Sequence, residues 1–115
     1  IQNRFTGTMT QHWDIQYVGS NAYKIINANS RKAMDDYDWQ TNDGAKIVQF
    51  RYDTKDNQIW RIVDNEDQDG TVTLINVWAQ KAASFVNGAT QPGTQVVLNE
   101  PNGSADQKWI LIRMS

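Results

Sequence analysis

"DNQIW" occupies residues 56–60, with "TQHW" at residues 10–13 and "DQKW" at residues 106–109. Three copies of Gln-x-Trp in 115 residues point to an internal repeat, and a repeat constrains the fold before any single element does. Trp13 and Trp60 are 47 residues apart (60 − 13), and Trp60 and Trp109 are 49 apart (109 − 60). At an offset of 49, residues 23–50, "YKIINANSRKAMDDYDWQTNDGAKIVQF", lie over residues 72–99, "VTLINVWAQKAASFVNGATQPGTQVVLN", with no gap. Asn27 then meets Asn76, Lys32 meets Lys81, Gly44 meets Gly93 and Val48 meets Val97. At an offset of 47, residues 1–13 lie over residues 48–60, so that Gln2 meets Gln49, Arg4 meets Arg51 and Phe5 meets Tyr52. The chain reads as one domain: the C-terminal part of a first repeat (1–22), a second repeat (23–70) and a third (71–115).

Inside a repeat the local signals are for strands. "YKIIN" and "TVTLINV" are short and β-branched. "AKIVQFRY" and "TQVVLN" follow "NDG" and "QPG", both turn signals of the hairpin kind. No stretch sustains a helical period, and Pro92 and Pro101 both fall in predicted turns. Four strands in each of three repeats make an all-β fold, a β-trefoil with pseudo-threefold symmetry. Its inner strands form a barrel, and hairpins of the second and third strands cap one end. Trp13, Trp60 and Trp109 are expected to pack around the axis, each bringing a large apolar area. Gln11, Gln58 and Gln107 are expected to bond nearby backbone. Gln-x-Trp is thus a folding motif first. The first two strands of repeat one have no counterpart in the sequence. Unpaired strand edges are avoided in folded proteins, so a companion peptide or subunit is expected to complete that repeat, the alternative being closure by the C-terminal "RMS".

Composition removes several function classes. Eleven basic against thirteen acidic side chains give a net charge of −2, so no basic face speaks for nucleic acid. No apolar run approaches membrane-spanning length, and residues 1–13 carry no signal-peptide apolar region. Cysteine is absent, which excludes disulfides, cysteine metal sites and thiol catalysis. That fits the cytosol and also bacterial secreted domains; secretion in mature form is the favoured expectation. The lone His12 excludes a two-histidine metal site. It also stands at the variable position of Gln-x-Trp, where the other copies carry Ile59 and Lys108, a poor place for a catalytic base. "NEDQDGTVTLIN" (65–76) superficially follows a calcium loop through Asp67 and Asp69, but Asn65 and Asn76 stand where acids are needed. Asp35, Asp36 and Asp38 around Tyr37 and Trp39 read as the polar rim of a hairpin tip, with Trp39 either local packing or an extra stacking surface. Asn102-Gly103-Ser104 is a glycosylation sequon in a predicted turn. No metal, cofactor or catalytic group is implied.

Three Gln-x-Trp copies at this spacing resemble the ricin B-type lectin family of carbohydrate-binding β-trefoils, over nearly the whole chain. "IVQF…DNQIW" is similar to a recurrent family variant. The resemblance implies a non-enzymatic domain, free or attached to a toxin or glycosidase. Its implied ligands are galactose- or N-acetylgalactosamine-type sugars or plant polysaccharides such as xylan. It implies a site of three parts: an acid that takes sugar hydroxyls, an aromatic that stacks on the ring, and an amide just before the Gln-x-Trp glutamine. Repeat two carries all three, in Asp35, in Phe50 or Tyr52, and in Asn57, with Gln49 alongside. Repeat three has Ser84 for the acid, Asn99 and Pro101 for the aromatics and Asp106 for the amide, and a serine is a far weaker acceptor than a carboxylate. Repeat one keeps Phe5 but has Thr10 for the amide. The count of working sites is therefore one, or at most two. β-Trefoils also serve as protease inhibitors or as structural docking modules, and the fold alone does not separate these uses.

Overall fold

A computed structural model describes residues 2–4, 12–66, 70–86 and 96–112, with the backbone alone for 2–4, 12, 111 and 112. Phe5, Thr10, Gln11, Asp67, Asp69, Pro92, the "RMS" tail and the His12 side chain lie outside the described residues. Ten strands follow in order: β1 (Gln2–Arg4), β2 (His12–Gly19), β3 (Ala22–Asn27), β4 (Ala33–Asp36), β5 (Ala45–Phe50), β6 (Trp60–Asp64), β7 (Val72–Asn76), β8 (Ala82–Phe85), β9 (Val96–Asn99) and β10 (Leu111–Ile112). Single 3-10 turns cover Tyr37–Trp39, Asp56–Gln58 and Ala105–Gln107.

Residues matched at the offset of 49 do matched work. Asn27 Oδ1 accepts from the N–H groups of Asn29 and Ser30, both at 2.9 Å. Asn76 Oδ1 accepts from those of Trp78 and Ala79 at 3.1 and 3.0 Å. Each asparagine braces the tight turn that sends its strand into the next, the local bonding for which turns favour Asn. Gln58 Nε2 donates to the Arg51 carbonyl at 2.7 Å, and Gln58 Oε1 accepts from the Asp53 N–H at 2.9 Å. Gln107 repeats both bonds 49 residues on, with the Glu100 carbonyl (2.8 Å) and the Asn102 N–H (2.9 Å). Trp60 Nε1 donates to the Met34 carbonyl at 3.0 Å, and Trp109 Nε1 to that of Ala83 at 3.1 Å. Trp13, Trp60 and Trp109 are buried in one core cluster with Ile25, Met34, Leu74 and Leu98. The indoles of Trp60 and Trp109 thus hide their area while their N–H groups keep partners.

The strands form one ten-stranded sheet with an extra β3–β6 pairing. β1, β2, β3, β6, β7 and β10 make an inner ring, whose β7–β10 side is joined by the bridge between Val72 and Trp109. The pairs β4–β5 and β8–β9 are the caps, and they meet through Ala45↔Leu98 and Lys46↔Val97. The N-terminus departs from the sequence reading. Rather than lying where Gln49 and Arg51 lie in repeat two, Gln2–Arg4 enters the inner ring. Asn3 stands opposite Trp13, as Tyr23 stands opposite Trp60 and Val72 opposite Trp109. β1 also pairs with β10 through Gln2↔Ile112 and Asn3↔Leu111. The ring is therefore closed by the chain's own first strand, and the structure gives no support to a companion supplying an inner strand. The physical reason is that two open edges, on β2 and β10, need backbone partners, and any extended segment supplies them whatever its side chains.

Candidate functional site

The cap of repeat two carries the site. β4 and β5 pair as Ala33↔Phe50, Met34↔Gln49, Asp35↔Val48 and Asp36↔Ile47. Paired residues share a face of the pleat, so Phe50 lies on the face of Asp35, and Gln49 on the other with Met34. The 3-10 turn Asp56–Gln58 then brings Asn57 and Gln58 under β4. Asn57 Nδ2 donates to the Asp36 carbonyl at 3.0 Å and stands 3.4 Å from Asp35 Oδ1. Gln58 Nε2 donates to Asp35 Oδ2 at 3.0 Å. Asn57 Oδ1 is buried and has no protein partner. Asn76 Nδ2, from repeat three, holds the Asn57 carbonyl at 3.0 Å.

Asp35 and Asn57 lie at the base of a depression of about 250 Å³, lined also by Tyr37, Asp38, Trp39, Phe50, Asp53 and Lys55. Both are 5% exposed, while Phe50 is 51% exposed. The Asp35 carboxyl, the Asn57 amide and the flat Phe50 ring therefore line one shallow depression. That arrangement suits a ligand with hydroxyls on one side and C–H groups on another. Burial pushes the Asp35 carboxyl above the usual aspartate range; the Gln58 amide works against this, and the Asp53 charge adds to it.

The family described as ricin-type beta-trefoil lectin domain-like matches residues 9–99 and, in an overlapping second match, 56–115. The chain belongs to the ricin-type β-trefoil lectin family. ThreeFoil, a designed threefold-symmetric protein, is 33% identical, with a TM-score of 0.87 over 99% of this chain and 80% of its own. An exo-β-1,3-galactanase from Clostridium thermocellum is 26% identical, with a TM-score of 0.84 over 94% of this chain and 23% of the enzyme. The Polyporus squamosus lectin, bound to a human-type influenza-binding epitope, shares the fold at 23% identity and a TM-score of 0.70, over 85% of this chain and 34% of its own. This lectin domain thus spans most of ThreeFoil but about a quarter of the galactanase. No curated protein sequence matches it.

Of the residues named from the sequence, the lectin fold brings Asp35, Phe50 and Asn57 to the depression and leaves two outside its lining. Gln49 is exposed and accepts from Ser30 Oγ at 2.6 Å. Tyr52 is covered by Lys24, whose Nζ lies 4.6 Å from the ring centre. The acids 35, 36 and 38 are not one polar rim: Asp35 and Asp36 are buried in β4, and Asp38 alone is exposed, in the turn beyond it. Tyr37 and Trp39 also line the depression, and their place follows from a turn in which Asp38 and Trp39 both take left-handed backbone angles (φ 57° and 58°). A left-handed tryptophan has no sequence signal. In repeat three, Ser84 is buried and its Oγ lies 3.3 Å from the Ala82 carbonyl, while Asp106 bonds Ser104 Oγ. Its polar groups are turned on their own backbone and neighbours. Among the described residues, no group of three His, Cys, Asp or Glu could hold a metal ion.

Proposed function

We propose that this lectin domain is a non-catalytic sugar-binding module with one working site, in the cap of repeat two. The proposal takes the chain as a short first repeat (1–22) followed by two full ones (23–70 and 71–115). Asp35 accepts hydroxyls of a galactose- or N-acetylgalactosamine-type ring. Asn57 closes the site beside Asp35, and Phe50 stacks on the C–H face. The observation that supports this is the meeting of acid, aromatic and amide residues in the lining of one depression. Its role in a larger protein is to direct an attached toxin or glycosidase to glycans. The depression is shallow, so affinity is modest: a Kd near 1 mM corresponds to about −4 kcal/mol.

A glycan array followed by calorimetric titration tests the reading. Wild type binds galactose-type ligands, and Asp35→Ala loses measurable binding, because a hydrogen bond to a charged group contributes about 1.5–3 kcal/mol of a small total. Asp35→Ala leaves the fold intact: Gln107 keeps its two backbone bonds beside Ser84 with no acid there. Failure of every glycan to bind, together with inhibition of a protease panel, would overturn the reading in favour of an inhibitor.

A further inference from the structure

Beyond Phe50, the wall of the depression continues into a pair of indoles. Trp39 and Trp78 are 40% and 46% exposed. Their ring centres lie 4.9 Å apart with the planes at 86°. Trp78 Nε1 donates to the Trp39 carbonyl at 3.0 Å. Neither belongs to the repeated scaffold, since the offset of 49 sets Gly88 against Trp39 and Asn29 against Trp78. The pair joins the cap of repeat two to the first turn of repeat three, and Trp39 also lines the depression.

Packing alone does not explain the pair. A bulky residue with φ near 58° is a backbone outlier, and here Asp38 beside it is left-handed as well. Such conformations persist where the surroundings hold them, and they collect at ligand sites. The Trp78 N–H on the Trp39 carbonyl is a contact able to hold this one. What is held is two half-exposed indoles, the largest flat apolar side chains available, against water at the edge of a polar depression. A core contact would have hidden them. Aromatic faces beside convergent polar groups are what a polyhydroxylated ring with a C–H face requires.

We infer that Trp39 and Trp78 form a second subsite, which takes the next ring of an oligosaccharide whose terminal ring occupies the Asp35 depression. The ligand class is therefore a glycan of two or more rings rather than a monosaccharide. This inference rests on the reading of the Asp35 depression as a sugar site. The first ring is fixed by hydrogen bonds to Asp35 and Asn57, and the second by stacking, so the second subsite is tolerant of linkage and ring identity.

The experiment titrates the full chain with galactose and with a galactose-terminated disaccharide, for wild type, Asp35→Ala, Trp78→Ala and Trp78→Phe. Wild type is expected to bind the disaccharide about tenfold more tightly than galactose. Trp78→Ala should lose that gain yet still bind galactose, and Trp78→Phe, which keeps a flat ring but loses the N–H on the Trp39 carbonyl, should retain part of it. The indole N–H resonance of Trp78 should move with the disaccharide and stay still with galactose. Equal affinities for the two ligands in wild type, or a full gain in Trp78→Ala, overturns the second subsite while leaving the first standing. If Asp35→Ala binds both ligands like wild type, the first site is wrong and the second falls with it.

Discussion

Asp36 stands where repeat three has Phe85. The offset of 49 pairs the two residues, and the strands agree, since Asp36 lies opposite Ile47 and Phe85 opposite Val96. Phe85 is a core residue stacked on Trp109 at 4.7 Å. Asp36 is buried too, and neither of its carboxylate oxygens has a hydrogen-bond partner. Burial, reinforced by the neighbouring Asp35 charge, pushes its pKa up from 3.8 to about 7. The folded chain then holds a proton that the unfolded chain has released, so Asp36 lowers stability as pH rises from about 4 to about 7. Asp36→Leu should therefore stabilise the protein by about 1–3 kcal/mol near pH 4, the usual scale for removing an unsatisfied buried polar group, and by more at pH 8, where the carboxylate is charged. Urea unfolding at the two pH values checks this; equal gains at both would show that the carboxylate is not the cause. Trp60→Ala tests the core from the other side. Its side chain is fully buried and its N–H is satisfied, so the loss should be about 3–5 kcal/mol by the same unfolding assay.

At the scale of the element, the cap hairpin explains which site residues were legible in the sequence. Asp35 and Asn57 are set by fixed distances from the Gln-x-Trp motif, which the repeat locates. The choice among Gln49, Phe50 and Tyr52 needs the register of β4 against β5, and no hairpin signal fixes that to a single residue. The pleat places Phe50 on the face of Asp35 and Gln49 on the other. The contact of Trp78 with Trp39 was invisible because it comes from another repeat. Gly44 shows what a turn signal does carry: its φ is +86°, and its N–H reaches the Leu98 carbonyl at 2.7 Å and Asn99 Oδ1 at 3.1 Å, where the two caps meet. Gly44→Ala keeps ample space but must adopt a left-handed backbone, at a cost of about 1–2 kcal/mol. Asp43→Ala removes an exposed ion pair with Lys81 and the bond that Asp43 Oδ1 accepts from the Glu100 N–H at 3.0 Å, and should cost less than Gly44→Ala. Thermal unfolding of the two variants orders them; a larger loss for Asp43 would mean that the caps are joined through the Asp43 carboxylate rather than through the Gly44 backbone.

For the whole molecule, periodicity made the trefoil legible, because one 49-residue offset fixes strand order, turns and core together. Closure was not legible. Side-chain likeness placed residues 1–4 beside residues 48–51, whereas the demand for backbone partners places β1 between β2 and β10. Deleting residues 1–4 should therefore lower the melting temperature and promote self-association through the freed edges. Size-exclusion chromatography and a melting curve check both effects, and an unchanged monomer would show that β1 contributes nothing to closure. The central claim, one sugar site in the cap of repeat two, is tested most directly by a chemical-shift titration of wild type, Asp35→Ala and Ser84→Ala with a galactose-type ligand. The account predicts shifts at Asn57, Phe50 and Trp39 in wild type and in Ser84→Ala, and none in Asp35→Ala. Shifts clustered around Ser84, or an Asp35→Ala variant that binds as wild type does, would contradict it.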